Sequence, residues 1–97
     1  MVEHIVLCTF SEQTTDDQKK EAISRLKALK EEIPGIIDIQ AGMNFSDRNK
    51  GYEVGLTVRF DDREALEVYG PHPKHQAVLA YLKEIGITDL ICVDFDC

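Results

Sequence analysis

Three histidines, three cysteines and three tyrosines carry most of the reactive side-chain chemistry in this 97-residue chain. Two of the histidines fall in one short segment, Tyr69-Gly70-Pro71-His72-Pro73-Lys74-His75. Imidazole exchanges protons near neutral pH because its unperturbed pKa is about 6.5, so His75 suits a general base or acid. Tyr69, approaching from the preceding residues, would supply a hydroxyl donor for an enolate-like oxygen. A structural role fits the same spacing: His72 caps a helix, His75 hydrogen-bonds locally, and Tyr69 fills the gap left by the Gly-Pro break. Spacing alone leaves both readings open.

The third histidine, His4, shares one face of a strand with Val6, Cys8 and Phe10 by period-two alternation. If helices cover that face, its ring projects into the space between sheet and helices, where internal pockets form. A metal site would need His4, His72, His75 and Cys8 to converge, and their spacing offers no such pattern, so no metal and no cofactor are expected. Cys8 reads as a small buried hydrophobe, since no neighbouring base is implied to lower its pKa. Cys8, Cys92 and Cys97 cannot all pair within one chain, which favours reduced thiols and a cytoplasmic setting. No glycine-rich phosphate loop or nucleophile elbow is present, so nucleotide chemistry is not expected. The polar stretch from Asp47 to Gly51 reads as a solvated hairpin loop.

The elements that position these residues follow from local patterns. Ile5 to Phe10 is apolar on both faces of a strand. Thr15 and Gln18 form a reciprocal capping box, and Ala22, Ile23, Leu26, Leu29 and Ile33 make a helical stripe that ends at Pro34-Gly35. Lys19, Lys20, Arg25, Lys27, Lys30 and Glu31 are assigned to the solvent side. Ile36 to Met43 predicts a second strand, with Ile37, Ile39, Ala41 and Met43 on one side. Tyr52 to Phe60 predicts a third, with Tyr52, Val54, Leu56, Val58 and Phe60 on one face. Asp61-Asp62 starts a short helix, and Pro73 starts another that turns Val78, Leu79, Leu82 and Ile85 inward before Gly86 ends it. The last strand runs from about Thr88 to Phe95.

This order packs most simply as one α+β domain spanning 1–97, a ferredoxin-like four-stranded antiparallel sheet with its helices on one face. The opposite sheet face is then bare. Ile5 and Leu7 would face water there, together with either Leu90 and Cys92 or Ile91, Val93 and Phe95. A contiguous apolar patch of that kind predicts a homodimer through the open sheet face, with Gly55 and Thr57 permitting close approach. The formal charge of −7 disfavours nucleic acid and anionic membranes as partners. No basic segment precedes a long apolar run, so neither a signal peptide nor a membrane span is expected.

Together, His4 to Phe10, Ile33-Pro34-Gly35-Ile36, Gly51-Tyr52 and the stretch Phe60, Leu66, Tyr69, His72-Pro73-Lys74-His75 resemble the stress-responsive dimeric alpha-beta barrel family. The resemblance covers essentially the whole chain and implies a dimer whose sheets join into a barrel. One plant branch of that family contains polyketide cyclases, which close a linear chain by an aldol-type condensation. By that resemblance His75 corresponds to the catalytic base and Tyr69 to its assisting hydroxyl, while His4, Val6, Cys8, Ile23, Leu26 and His72 fall at pocket positions. Ala22 and Leu26 stand where the cyclase branch has bulky aromatics, and Lys27 and Lys30 replace apolar residues, implying a different cavity shape or polarity. Two functions are therefore carried forward: a small dimeric protein that binds a small apolar molecule, and a cofactor-independent lyase or cyclase.

Overall fold

The computed structural model describes residues 1–97. The elements are β1 (Val2–Phe10), α1 (Asp16–Glu32), β2 (Ile36–Met43), β3 (Val54–Phe60), α2 (Arg63–Tyr69), α3 (Pro73–Ile85) and β4 (Ile87–Asp96). All strand pairings are antiparallel, in the order β2-β3-β1-β4. This is the ferredoxin-like arrangement, with the helices on one sheet face.

Local chemistry sets the element ends. Thr15 accepts from the Gln18 backbone while the Gln18 side chain accepts from the Thr15 backbone, so both halves of the capping box are made. Asp62 caps α2 through the Ala65 N–H, and Pro73 occupies the first turn of α3. Gly86 ends α3 at φ 106°, where a β-carbon would come within 2.7 Å of Thr14 Oγ1. Both conformation and space require glycine there.

Alternation along β1 buries Val2, His4, Val6, Cys8 and Phe10 beneath the helices. All but His4 join Val54, Leu56, Val58 and Phe60 of β3 and Ala22, Leu26 and Leu29 of α1 in a single apolar core. Registry settles which residues of β4 face the same way. Ile91 lies opposite Leu7 and Val93 opposite Ile5, whereas Leu90 lies opposite Cys8 and Cys92 opposite Val6. Directly opposed residues project to one side, so Ile91, Val93 and Phe95 share the open face with Ile5 and Leu7. Gly55 and Thr57 lie there too, opposite Leu7 and Ile5. No helix is long and apolar enough to cross a membrane.

Three local expectations are corrected. Ile37 is the extra residue of a bulge: Ile36 pairs with Phe60 but Asp38 pairs with Arg59. The bulge breaks the strict alternation and brings Ile36 against the core. Tyr52 precedes β3 and belongs to the turn in which its N–H donates to the Asn49 carbonyl. Lys19 is buried at 6 % exposure, not solvent-facing. It lies one turn before Ala22 on the same helical face, so its stem packs inward and its ammonium pairs with Glu53, with Asp16 3.7 Å away.

That pairing predicts an asymmetry. Glu53→Ala leaves the Lys19 ammonium without its main partner and should destabilise the fold by about 1–3 kcal/mol. Lys19→Met removes charge and desolvation penalty together and should change stability by less than about 1 kcal/mol. Urea denaturation of both variants checks this, and equal losses would contradict it.

Candidate functional site

A cavity of about 270 Å³ lies between the sheet and the helices. Its floor is the inward face of the sheet: His4, Val6 and Cys8 from β1, Leu56 from β3, and Leu90 and Cys92 from β4. Leu26 enters from α1, Leu66 and Tyr69 from α2, Gly70 from the break, and His75, Leu79 and Leu82 from α3. Leu90 and Cys92 line the cavity yet remain exposed, which places the mouth along the edge strand β4.

The polar groups sit together against one aromatic cluster. Tyr69 is 1 % exposed, with its ring edge-on to Phe60 at 5.1 Å and to His4 at 5.9 Å. The His75 ring lies 4.2 Å from the Tyr69 ring, tilted by 36°. The helix break makes this possible: Tyr69 ends α2, Gly70-Pro71 reverses the chain, and His75 returns one turn into α3.

His75 Nδ1 lies 2.8 Å from the Gly70 carbonyl oxygen. A carbonyl only accepts, so Nδ1 carries the proton and, in the neutral ring, Nε2 keeps its lone pair. Burial lowers the His75 pKa from its ordinary 6.5; the Gly70 hydrogen bond opposes that shift without cancelling it, and His4 and His72 add to it. The ring is therefore neutral at pH 7. His4 Nδ1 bonds to the Asp94 carboxylate across the β1–β4 pair, where the two residues are directly opposed. Asp94 thus orients His4, a partner 90 residues away that no sequence spacing indicated.

Two groups in the cavity resist ionisation. Burial pushes the Cys8 thiol up to about 11, with a further contribution from Cys92. Burial likewise pushes the Tyr69 hydroxyl up to about 12, again with a contribution from Cys92. Tyr69 therefore keeps its proton at neutral pH. Its hydroxyl is buried and has no hydrogen-bond partner.

The structure thus brings His4, Val6, Cys8, Leu26, Tyr69 and His75 to one cavity and leaves two residues of the expected set outside it. Ile23 is partly buried against the core on a neighbouring part of α1, one position round the helix from Ala22. His72 is turned onto its own helix, where Nδ1 accepts from the Lys74 N–H at 3.1 Å. Its capping role holds its ring away from the cavity. Leu66, Leu79, Leu82, Leu90 and Cys92 complete the wall and were not singled out as pocket residues, because they are ordinary core-type residues until registry places them. No group of three or more His, Cys, Asp or Glu side chains is arranged to hold a metal ion.

An unsatisfied buried hydroxyl costs about 1–3 kcal/mol. Tyr69→Phe should therefore raise stability by about 1 kcal/mol, read as a higher urea midpoint. A loss of stability would mean that the hydroxyl is satisfied in solution.

Comparison with known proteins agrees with this arrangement. The crystal structure of At3g17210 from Arabidopsis thaliana superposes with a TM-score of 0.89 at 20 % identity, covering 100 % of this chain and 95 % of that one. A dimeric protein of unknown function and ferredoxin-like fold from Bacteroides fragilis superposes with a TM-score of 0.81 at 27 % identity, over 99 % and 95 % of the two chains. Olivetolic acid cyclase of Cannabis sativa is 30 % identical over 76 residues, covering 76 % of this chain and 75 % of the cyclase. The family match itself runs over residues 2–97, from the first strand to the last residue, and on that extent the chain belongs to the Stress Responsive A/B Barrel Domain family.

Proposed function

We propose that this chain is a small homodimeric stress-response-type protein that holds a small apolar molecule bearing one hydrogen-bond acceptor between its sheet and helices. The observation that carries this reading is the Tyr69 hydroxyl, buried and unpartnered in a mostly apolar wall whose other polar side chains are His4 and His75. A ligand oxygen would satisfy it. The volume exceeds the ~150 Å³ of an engineered cavity in another protein that takes benzene, so a ring with substituents or a medium-length ketone fits. The three free thiols suit a reducing, cytoplasmic setting.

Dimerisation through the open face is part of the same proposal. Leu7, Ile91, Val93 and Phe95 stand 37–51 % exposed on one side of the sheet. Two such faces packed about a twofold axis would cover them and join the sheets into a barrel. The dimeric Bacteroides fragilis relative supports this assembly.

Binding of 2-octanone, followed by ligand-detected NMR and thermal shift with octane as the acceptor-free control, tests the cavity reading. The ketone should bind more tightly, and Tyr69→Phe should cut that preference about fivefold, the equivalent of one ordinary hydrogen bond. Failure of both probes to bind would sink the reading.

A second reading is supported by the neutral His75 ring lying 4.2 Å from that of Tyr69, and by the likeness to olivetolic acid cyclase. In it, His75 Nε2 removes a proton next to a substrate carbonyl, Tyr69 donates to the resulting enolate oxygen, and carbon–carbon closure follows. His75→Ala should abolish turnover of a co-purifying ligand, and activity should fall on acidification as the ring takes up its proton. Unchanged turnover would remove His75 as the base.

A further inference from the structure

Cys92 differs from the other two cysteines in joining solvent access to a place in the cavity wall. Cys8 lines the same cavity but is 3 % exposed. Cys97 is exposed at the chain end and lies outside it. Pairing with Val6 fixes the direction of the Cys92 side chain toward the helices. This is the side away from the sheet face assigned above to the dimer. The second observation at this site is Tyr69, a cavity-lining residue that is 99 % buried and whose hydroxyl has no hydrogen-bond partner. A thiol at the mouth and a neutral hydroxyl in the wall offer a nucleophile and a hydrogen-bond donor, the two groups that a conjugated carbonyl takes up.

We propose that Cys92 is a covalent capture site for small apolar α,β-unsaturated ketones and aldehydes seated in this cavity. The inference rests on the cavity-binding reading and names the ligand class that would become bonded. The Cys92 sulfur bonds the β-carbon while the C=C π pair moves toward the α-carbon and the carbonyl oxygen, which accepts the Tyr69 hydrogen bond. The thiol proton ends on the α-carbon, and no oxidant, reductant or further reactant is consumed. Burial and the nearby Asp94 carboxylate raise the Cys92 pKa, so the attacking thiolate is a minor species whose addition relies on the seated electrophile and quickens as pH rises. Selectivity then comes from the cavity.

The experiment incubates the full chain with 3-octen-2-one and follows each cysteine by peptide-resolved mass spectrometry. Cys92 should gain the adduct at least about tenfold faster than Cys97, because its reaction is that of a positioned pair. Excess 2-octanone should slow Cys92 without affecting Cys97. Tyr69→Phe should slow Cys92 about fivefold, the loss expected for one hydrogen bond, and Cys92→Ser should leave only slow labelling at Cys97. Equal rates at Cys92 and Cys97 with no protection by the saturated ketone would overturn the proposal. If 2-octanone binds while Cys92 stays unlabelled, covalent capture falls and the cavity reading stands; if the ketone does not bind at all, both fall.

Discussion

Leu7→Glu is expected to turn the proposed dimer into an 11.0 kDa monomer at micromolar concentration. Leu7 sits centrally on the open sheet face, opposite Gly55 on one side and Ile91 on the other. A twofold interface would bury both copies of the substituted residue. An unpaired carboxylate has no partner there, since Ile5, Ile91 and Val93 surround it with apolar groups. Burying an unsatisfied polar group costs at least about 2 kcal/mol, and two copies give about 4 kcal/mol, roughly a thousandfold in dissociation constant. Within the subunit the same change is mild, because Leu7 is already 37 % exposed. Val68→Glu makes the control: Val68 is 54 % exposed on α2, on the helical side. Sedimentation should show a monomer for Leu7→Glu and an unchanged dimer for Val68→Glu. A Leu7→Glu chain that remains dimeric would assign the interface elsewhere.

Phe60→Ala should cost about 3–5 kcal/mol, the usual range for truncating a fully buried aromatic. Phe60 is completely buried at the end of β3, paired in the sheet with Val2 on one side and Ile36 on the other. Its ring supports Tyr69 at 5.1 Å and lies 6.3 Å from His4. Removing it opens a void directly beneath the cavity's polar corner. Small domains are stable by only about 5–15 kcal/mol, so much of the total disappears with one side chain. Phe45 offers the contrast, being fully exposed at 101 % in the loop between β2 and β3. Phe45→Ala should stay within about 0.5 kcal/mol of the parent. Urea midpoints for the pair give the comparison, and similar losses would show that Phe60 is not a keystone of the core.

Much of the fold was legible because its signals are local. The Thr15–Gln18 box, Pro73 at a helix start, Gly86 at a helix end and the alternation of β1 each act over a few residues. Their chemistry is the same before and after folding. Spacing left Tyr69 and His75 open between a pocket role and local packing, because a Gly-Pro break does not by itself fix where the two rings go; the fold sets them 4.2 Å apart. Lys19 was misplaced because its partner Glu53 lies 34 residues away and contributes nothing to the helical pattern. The bulge at Ile37 escaped notice because two-residue alternation carries no mark of a skipped pairing.

By itself the sequence determined the element order, the helix caps, the inward face of β1 and the presence of an unpaired apolar sheet surface. Only the tertiary structure decided which side of β4 faces the helices, that Asp94 meets His4, that His72 turns away from the cavity, and that Cys92 stands at its mouth while its wall holds an unsatisfied Tyr69 hydroxyl. The division has one physical cause. Caps and periodicity are written in bonds that span three or four residues, whereas β4 reads equally well on either face until pairing with β1, 77 to 94 residues earlier, selects one register.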